Sequence, residues 1–331
     1  MEKIDFVVTW VDGNDPLWQE EREKYAPKED IRGNKVNRFR DWDLMRYWFR
    51  GVETFAPWVN CVYFITWGHT PDWLNCDHPK LKIVKHTDYI PEAYLPTYNS
   101  NVIEMNIHRI PELSEQFVLF NDDVFLTNNV KPEDFFVNGL PCEAALLGQL
   151  SALAPEDRDC PCMLMNNMSI VNKYFSKKEV LRKHWRKFYS LKYGKHLLRN
   201  LLLTPGDYFS RFRDDHLTAS YLKSSFAEIW EKEPGILDTA SRSRFRSRDD
   251  VSHWTVKAWQ CCKGSFVPRS PGFGRSSVIT DESAWRDIES QRYKVIILND
   301  GSADVAFETV RENVARAFEK ILPNPSSFEK I

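Results

Sequence analysis

The chain lacks the long apolar run that a membrane span requires. No stretch of its 331 residues reaches the roughly 18 consecutive apolar residues needed to cross a bilayer. It also lacks a glycine-rich phosphate loop. Neither G-x-x-x-x-G-K nor G-x-G-x-x-G occurs, which argues against P-loop and dinucleotide readings, and no G-x-S-x-G elbow marks a serine hydrolase. An excess of positive charge is missing too. With 45 Lys and Arg against 47 Asp and Glu the net charge is −2, so nucleic acid is not the expected partner. The seven cysteines are scattered, and neither Cys160-Pro-Cys162 nor Cys261-Cys262 has a second pair at zinc-site spacing. They read as reduced thiols of a cytosolic protein. The opening MEKIDFVVTWVDG has too short an apolar run for a secretory leader, and the expected location is cytoplasmic.

What is present is an ordinary hydrophobic share of 42%, enough for a large core in one elaborated domain or two, and a high aromatic share of 14% with 12 Trp. Aromatic faces suit sugar stacking, but they also fill cores. More telling, four strand-like apolar runs each end at once in acids, amides or a turn. Residues 4–11 precede Asp12-Gly13-Asn14-Asp15 and residues 61–67 precede Gly68-His69. Residues 116–120 precede Asn121-Asp122-Asp123, and residues 294–298 precede Asn299-Asp300-Gly301. Helical spacing over 41–55, 101–110 and 305–322 alternates with these runs, the βαβ signature of a parallel sheet. Ligands of open α/β sheets bind outside the carboxyl ends of the strands. If the four runs lie side by side, one crevice collects several carboxylates, which repel one another unless a cation sits among them. Hard oxygen donors point to Mg²⁺ or Mn²⁺, a metal that usually also holds substrate phosphates. Asn121-Asp122-Asp123 is the stronger acidic segment. Asp12 to Asp15 can equally be a tight turn.

Residues 156–243 differ in texture and read as a mainly helical insertion between core segments 1–155 and 244–331. Within it, 177–199 carries nine Lys and Arg, a cationic face suited either to solvent or to an anionic membrane surface or phosphorylated carrier. Arg-Phe-Arg occurs three times, at 38–40, 211–213 and 244–246. In an extended segment its two guanidiniums share one face and can clamp phosphate. Of eight histidines, His216 stands out, since Asp214-Asp215 precede it and a carboxylate can orient an imidazole as a base.

These residues also carry a resemblance. Residues 4–18, IDFVVTWVDGNDPLW, resemble the first conserved block of the Stealth family of sugar-1-phosphate transferases. RFRDWDLMRYWFRGVETFAPWV, FITWGHTPDWLN, LPTYNSNVIEMNIHRIPELSEQF and NDDVF between residues 38 and 125 resemble the second. The regions around His216 to Ser247, and ILNDG with LPNPSSFEK, are similar to the third and fourth. That family includes bacterial capsular polysaccharide phosphotransferases and the catalytic subunit of the lysosomal N-acetylglucosamine-phosphotransferase. The resemblance implies an α/β fold with a mostly parallel, Rossmann-like or GT-A-like nucleotide-sugar-binding sheet. It also implies Mg²⁺ or Mn²⁺, a UDP-sugar donor and a glycan or lipid-linked glycan acceptor, in a protein that is cytoplasmic or peripheral on the inner membrane face. Metal contacts are expected at Asp122, Asp123, Asn299 and Asp300. Donor and phosphate contacts are expected at Trp10, Val11, Asp15, Arg38, Arg40, Asn99, Asn101 and Glu104. The chemistry is expected at Asp12, Arg244 and Arg246, with His216 as base. An ordinary glycosyltransferase that releases UDP would use the same acidic crevice. A glycan-binding module would leave the clustered acids unexplained.

Overall fold

The computed structural model describes residues 2–26, 39–150, 159–300 and 306–330. Three of the four apolar runs form its central sheet. Strands β1 (Ile4–Thr9), β2 (Val62–Thr66), β3 (Leu81–Lys85) and β4 (Gln116–Phe120) lie in the order β4-β1-β2-β3, all parallel, with Phe6 opposite both Val62 and Val118. β2 and β4 are buried at every residue, as expected of strands covered on both faces by helices. Side chains alternate. Phe6, Val8, Phe64, Val118 and Phe120 enter one core with helices α1 (Met45–Phe55) and Phe307–Ile321. Val7, Tyr63, Ile65, Phe117 and Leu119 enter the other, with Phe226, Ile229 and Trp259. The mostly parallel α/β sheet that the sequence announced is therefore present.

Three elements differ from expectation. The fourth run does not join the central sheet. After β4 the chain makes β5 (Val124–Leu126), and β8 (Val295–Asn299) pairs antiparallel with it, in a second sheet completed by β7 (Gly274–Val278). The expected insertion is helical from Asp159 to Leu202 in several segments, but Ala219–Leu222 returns as β6, antiparallel to β4 at the edge of the central sheet. Sequence texture missed β6 because a four-residue strand carries too little periodicity to separate it from its flanks. The helix expected over 101–110 is α2 (Ser100–Met105), followed by a short 3₁₀ turn at Ile107–Arg109. Among the described residues, no helix is long and apolar enough to cross a membrane.

Candidate active site

Because β1 and β4 are parallel neighbours, both deliver their next residues to the same edge. β1 leads into Trp10 and Val11, and β4 into Asn121-Asp122-Asp123. The chain then folds back: Leu298 N–H donates to the Asp123 carbonyl at 2.9 Å, and the β5–β8 ladder sets Asn299-Asp300 alongside the acid pair. One cavity of about 280 Å³ is lined by Trp10, Arg40, Asp41, Asp122, Asp123, Asn299 and Asp300 against an apolar wall that includes Trp42 and Phe125. A second, of about 200 Å³, shares Trp10, Asp122 and Asp123 with the first. It continues past Val11, Phe39 and Tyr98 to Glu104 and Arg246. The acid pair thus stands between two lobes of one crevice.

The electrostatics are those of crowded carboxylates. Burial, then Asp123 and Asp41, raise the Asp122 pKa well above the carboxylate range. Burial likewise raises Asp41, which accepts a hydrogen bond from Trp10 Nε1 at 3.2 Å. Neither carboxylate oxygen of Asp300 has a hydrogen-bond partner, though Oδ2 lies 3.5 Å from Arg40 Nη1. Buried acids that raise one another's pKa, with orphaned oxygens beside them, are a setting that a divalent cation relieves. Among the described residues no three His, Cys, Asp or Glu side chains converge into a ready cage. A cation there would rest on one or two carboxylates supplemented by water and phosphate oxygens, as Mg²⁺ commonly does. Asn299 Nδ2 donates to Ser276 Oγ and the Ser277 carbonyl, which fixes the amide and leaves Oδ1 as the atom that could serve a cation.

Several expected contacts turn out to be scaffolding. Asp15 caps the helix Pro16–Tyr25, accepting from Leu17 and Trp18 N–H at 2.8 and 3.0 Å, and the Trp18 bond leads in lowering its pKa. His69 Nε2 accepts the Asp12 N–H at 2.9 Å while Nδ1 faces Asp15 at 3.3 Å. Burial lowers the His69 pKa, so the ring is neutral and locks the turn after β1 in place. Gly13 is required there, since an added Cβ would meet the Phe39 carbonyl oxygen at 1.9 Å. Asn99 and Asn101 do not face the crevice. Their buried amides each donate to Asp250 at 2.9 Å and hold the loop that presents Arg246. Arg244 lies over the Tyr25 ring, away from the phosphate-clamping position expected of it, because in this loop Tyr98 N–H binds the Arg244 carbonyl and fixes the turn. Arg38 lies outside the described residues.

Trp10, Val11, Arg40, Glu104, Arg246 and the four metal candidates do line the crevice. Arg246 Nη2 donates to Ser100 Oγ at 2.8 Å. Beside Arg246, burial pushes the Glu104 carboxyl up to about 8, which keeps it protonated at neutral pH. Its Oε2 lies 3.5 Å from His253 Nε2, and His253 Nδ1 is 2.6 Å from the Tyr221 hydroxyl. Sequence reasoning missed Asp41, Tyr98 and His253. Asp41 was findable, as it directly follows Arg38-Phe39-Arg40. Tyr98 and His253 are tied in by contacts distant in sequence, Tyr98 to Glu21 and His253 to Glu104.

His216 is accessible to solvent and takes a left-handed backbone, with φ of 58°. Asp214 Oδ1 holds it there through the His216 N–H at 2.7 Å, and the ring stands edge-on to Trp254 at 4.9 Å. Surrounding protein lowers its pKa more than Asp214 raises it, and Arg246 is among the cations close enough to add to the lowering. That lowering favours the neutral imidazole, the form a proton acceptor needs.

Comparison with known proteins follows the same residues. The conserved region 1 model of Stealth proteins matches residues 2–30, and the conserved region 2 model matches residues 38–142. The chain is 45% identical over 334 residues to a capsular polysaccharide phosphotransferase, WcwK, of Streptococcus pneumoniae, covering 100% of this chain and 99% of that one. It is 38% identical over 330 residues to an exopolysaccharide phosphotransferase, cps2G, of Lactiplantibacillus plantarum, covering 99% and 96%. The solved galactosyltransferase LgtC, in complex with donor and acceptor sugar analogs, aligns over 98% of both chains with a TM-score of 0.38 and 9% identity.

Proposed function

Since the chain belongs to the Stealth family and is an enzyme of polysaccharide phosphotransfer, as relatives alike from end to end establish, we propose the reaction in detail. It moves hexose-1-phosphate or N-acetylhexosamine-1-phosphate from a UDP-sugar to a glycan hydroxyl, releasing UMP. The observation that carries this reading is the full-length identity with a capsular polysaccharide phosphotransferase. The crevice supports it with an acid pair and two arginines.

In this reading the acceptor oxygen forms a bond to the β-phosphorus of the donor. The bond from that phosphorus to the bridging oxygen breaks, and UMP leaves with the electron pair. The acceptor proton passes to His216. The sugar C1–O bond is untouched, so anomeric configuration is retained. Charge spread over phosphoryl oxygens is met by Arg246 in one lobe and Arg40 in the other, both fixed before substrate arrives. Asp122, Asp123, Asn299 and Asp300 would hold Mg²⁺ or Mn²⁺, which when bound neutralises diphosphate charge. Trp10, Val11, Phe39 and Tyr98 form the wall against which the nucleotide and sugar rings pack. A UDP-sugar donor places the work on the cytoplasmic side, with an acceptor that is a glycan or a lipid-linked glycan.

The test is the leaving group. Purified protein with Mg²⁺, a panel of UDP-sugars and an acceptor glycan should accumulate UMP, and phosphorus NMR should show a phosphodiester in the product. UDP release with a phosphate-free product refutes the reading and identifies a glycosyltransferase.

A further inference from the structure

The helical segment 177–208 holds a surface that the crevice does not use. Its short helix His196–Leu202 is built inside out. Asn200, the residue a soluble helix would turn to water, is fully buried. Its Oδ1 accepts the Leu147 N–H at 2.8 Å, and its Nδ2 donates to the Ala145 and Phe188 carbonyls at 2.9 and 2.7 Å. Leu198, Leu201 and Leu202 lie on one face at i, i+3 and i+4, and are 62%, 53% and 70% exposed. Leu191, Trp185 and Tyr208 are also exposed on this segment. Such a run of large apolar side chains in water marks an interaction site. The face is pinned in place. Lys177 Nζ donates to the Leu203 and Pro205 carbonyls, and Arg199 Nε to the Leu147 carbonyl.

Charge decides the occupant. From residue 177 to 206 the only acid is Glu179. Of the nine basic residues in this stretch, the structure withdraws Lys177 and Lys187, whose ammonium groups are tied to backbone carbonyls. Lys178, Arg182, Lys183, Arg186, Lys192 and Lys195 remain exposed, and none is in an ion pair among the described residues. Apolar side chains beside unpaired cations are the composition of a surface that lies in the interface of an anionic bilayer. A second copy of this chain would bring the same unpaired cations against one another.

We propose that Leu198, Leu201 and Leu202, preceded in the chain by the exposed Lys192 and Lys195, insert into the interface of an anionic lipid bilayer. The face is coupled to the proposed base. His196 Nδ1 lies 3.2 Å from Arg213 Nη1, and Arg213 Nε donates to Asp215 at 2.7 Å, next to His216. Docking therefore brings the His216 loop to the membrane surface, where a lipid-linked acceptor presents its glycan. This second step rests on the phosphotransfer reading above, whereas the docking itself does not.

The experiment is flotation of the full chain with vesicles of phosphatidylglycerol and phosphatidylcholine, and with phosphatidylcholine alone. The wild type should float only with the anionic vesicles. Binding should weaken in high salt without vanishing, because apolar insertion is not screened. The triple variant Leu198→Ser/Leu201→Ser/Leu202→Ser should keep the wild-type melting temperature and its turnover on a soluble glycan, yet bind vesicles at least about tenfold more weakly. Changing Lys192 and Lys195 to Gln should weaken binding at low salt. Failure of the wild type to float, or a triple variant that floats like wild type, overturns the docking proposal. So does light scattering that shows a wild-type dimer dispersed by the triple variant. Equal turnover of wild type and triple variant on a vesicle-embedded acceptor overturns the delivery step. None of the flotation results depends on donor or metal, so they fail separately from the UMP assay.

Discussion

Lys257 offers the sharpest test of how the site is held together. Its ammonium is buried 2.7 Å from Asp214 and 3.2 Å from Glu143, and Asp214 in turn fixes His216 in its left-handed conformation. Burial works against the charge of Lys257, but Asp214 and Glu143 outweigh it and raise the pKa. Burial would raise Asp214, and Lys257 with His216 reverses that to a net lowering. Replacing Lys257 with Met removes one cation from two buried carboxylates. Breaking a buried pair by removing one partner typically costs about 3–5 kcal/mol. The pH dependence distinguishes this from a packing defect. In the wild type the lowered Asp214 contributes stability above the ordinary carboxylate pKa and loses it only in acid, so this site adds no slope between pH 5 and 8. In Lys257→Met the largest opposition to burial is gone and the Asp214 pKa rises, so stability falls as pH increases through that range. Urea unfolding at pH 5 and pH 8 reads both quantities. Adding Asp214→Asn to Lys257→Met should restore part of the loss and flatten the slope, since an amide oxygen still accepts the His216 N–H. Turnover should fall toward that of His216→Ala with donor affinity nearly unchanged, because the left-handed backbone of a non-glycine residue has lost its support. A loss under about 1 kcal/mol with the wild-type pH slope would refute the reasoning.

Two further outcomes are expected. Asp123→Asn should reduce turnover roughly a thousandfold; Mg²⁺ should raise the melting temperature of the wild type and not of the variant. Full activity after EDTA treatment, or an active variant, refutes a metal at Asp122-Asp123. Glu104 has a folded pKa raised to about 8 from an ordinary 4.5. Its contribution to stability is complete below 4.5 and is lost as pH climbs toward 8 and beyond. Glu104→Gln keeps the neutral shape and escapes that loss, so thermal melting of the variant should gain on wild type between pH 6 and 9. Parallel melting curves would show that Glu104 is ionised.

Local sequence determined a good deal. Largely apolar runs at 4–9, 62–66 and 116–120 specify strands buried on both faces, and their polar ends specify where a crevice opens, because both follow from residues adjacent in the chain. Trp10, Asp122 and Asp123 were legible for that reason. The tertiary structure decided what long-range pairing controls. The run at 294–298 looks locally like the other three, but it pairs antiparallel with a three-residue strand about 170 residues earlier, which sets Asp300 beside Asp122 by a route no local pattern records. Asn99 and Asn101 resemble ligand-binding amides, and only Asp250, some 150 residues away, shows that they hold the Arg246 loop. The leucines at 198, 201 and 202 have the spacing of a core-facing stripe. They point outward because Asn200 finds three buried backbone partners at positions 145, 147 and 188. A sequence fixes the spacing of a stripe along a helix, but which way the stripe faces is set by the partners that the rest of the fold supplies.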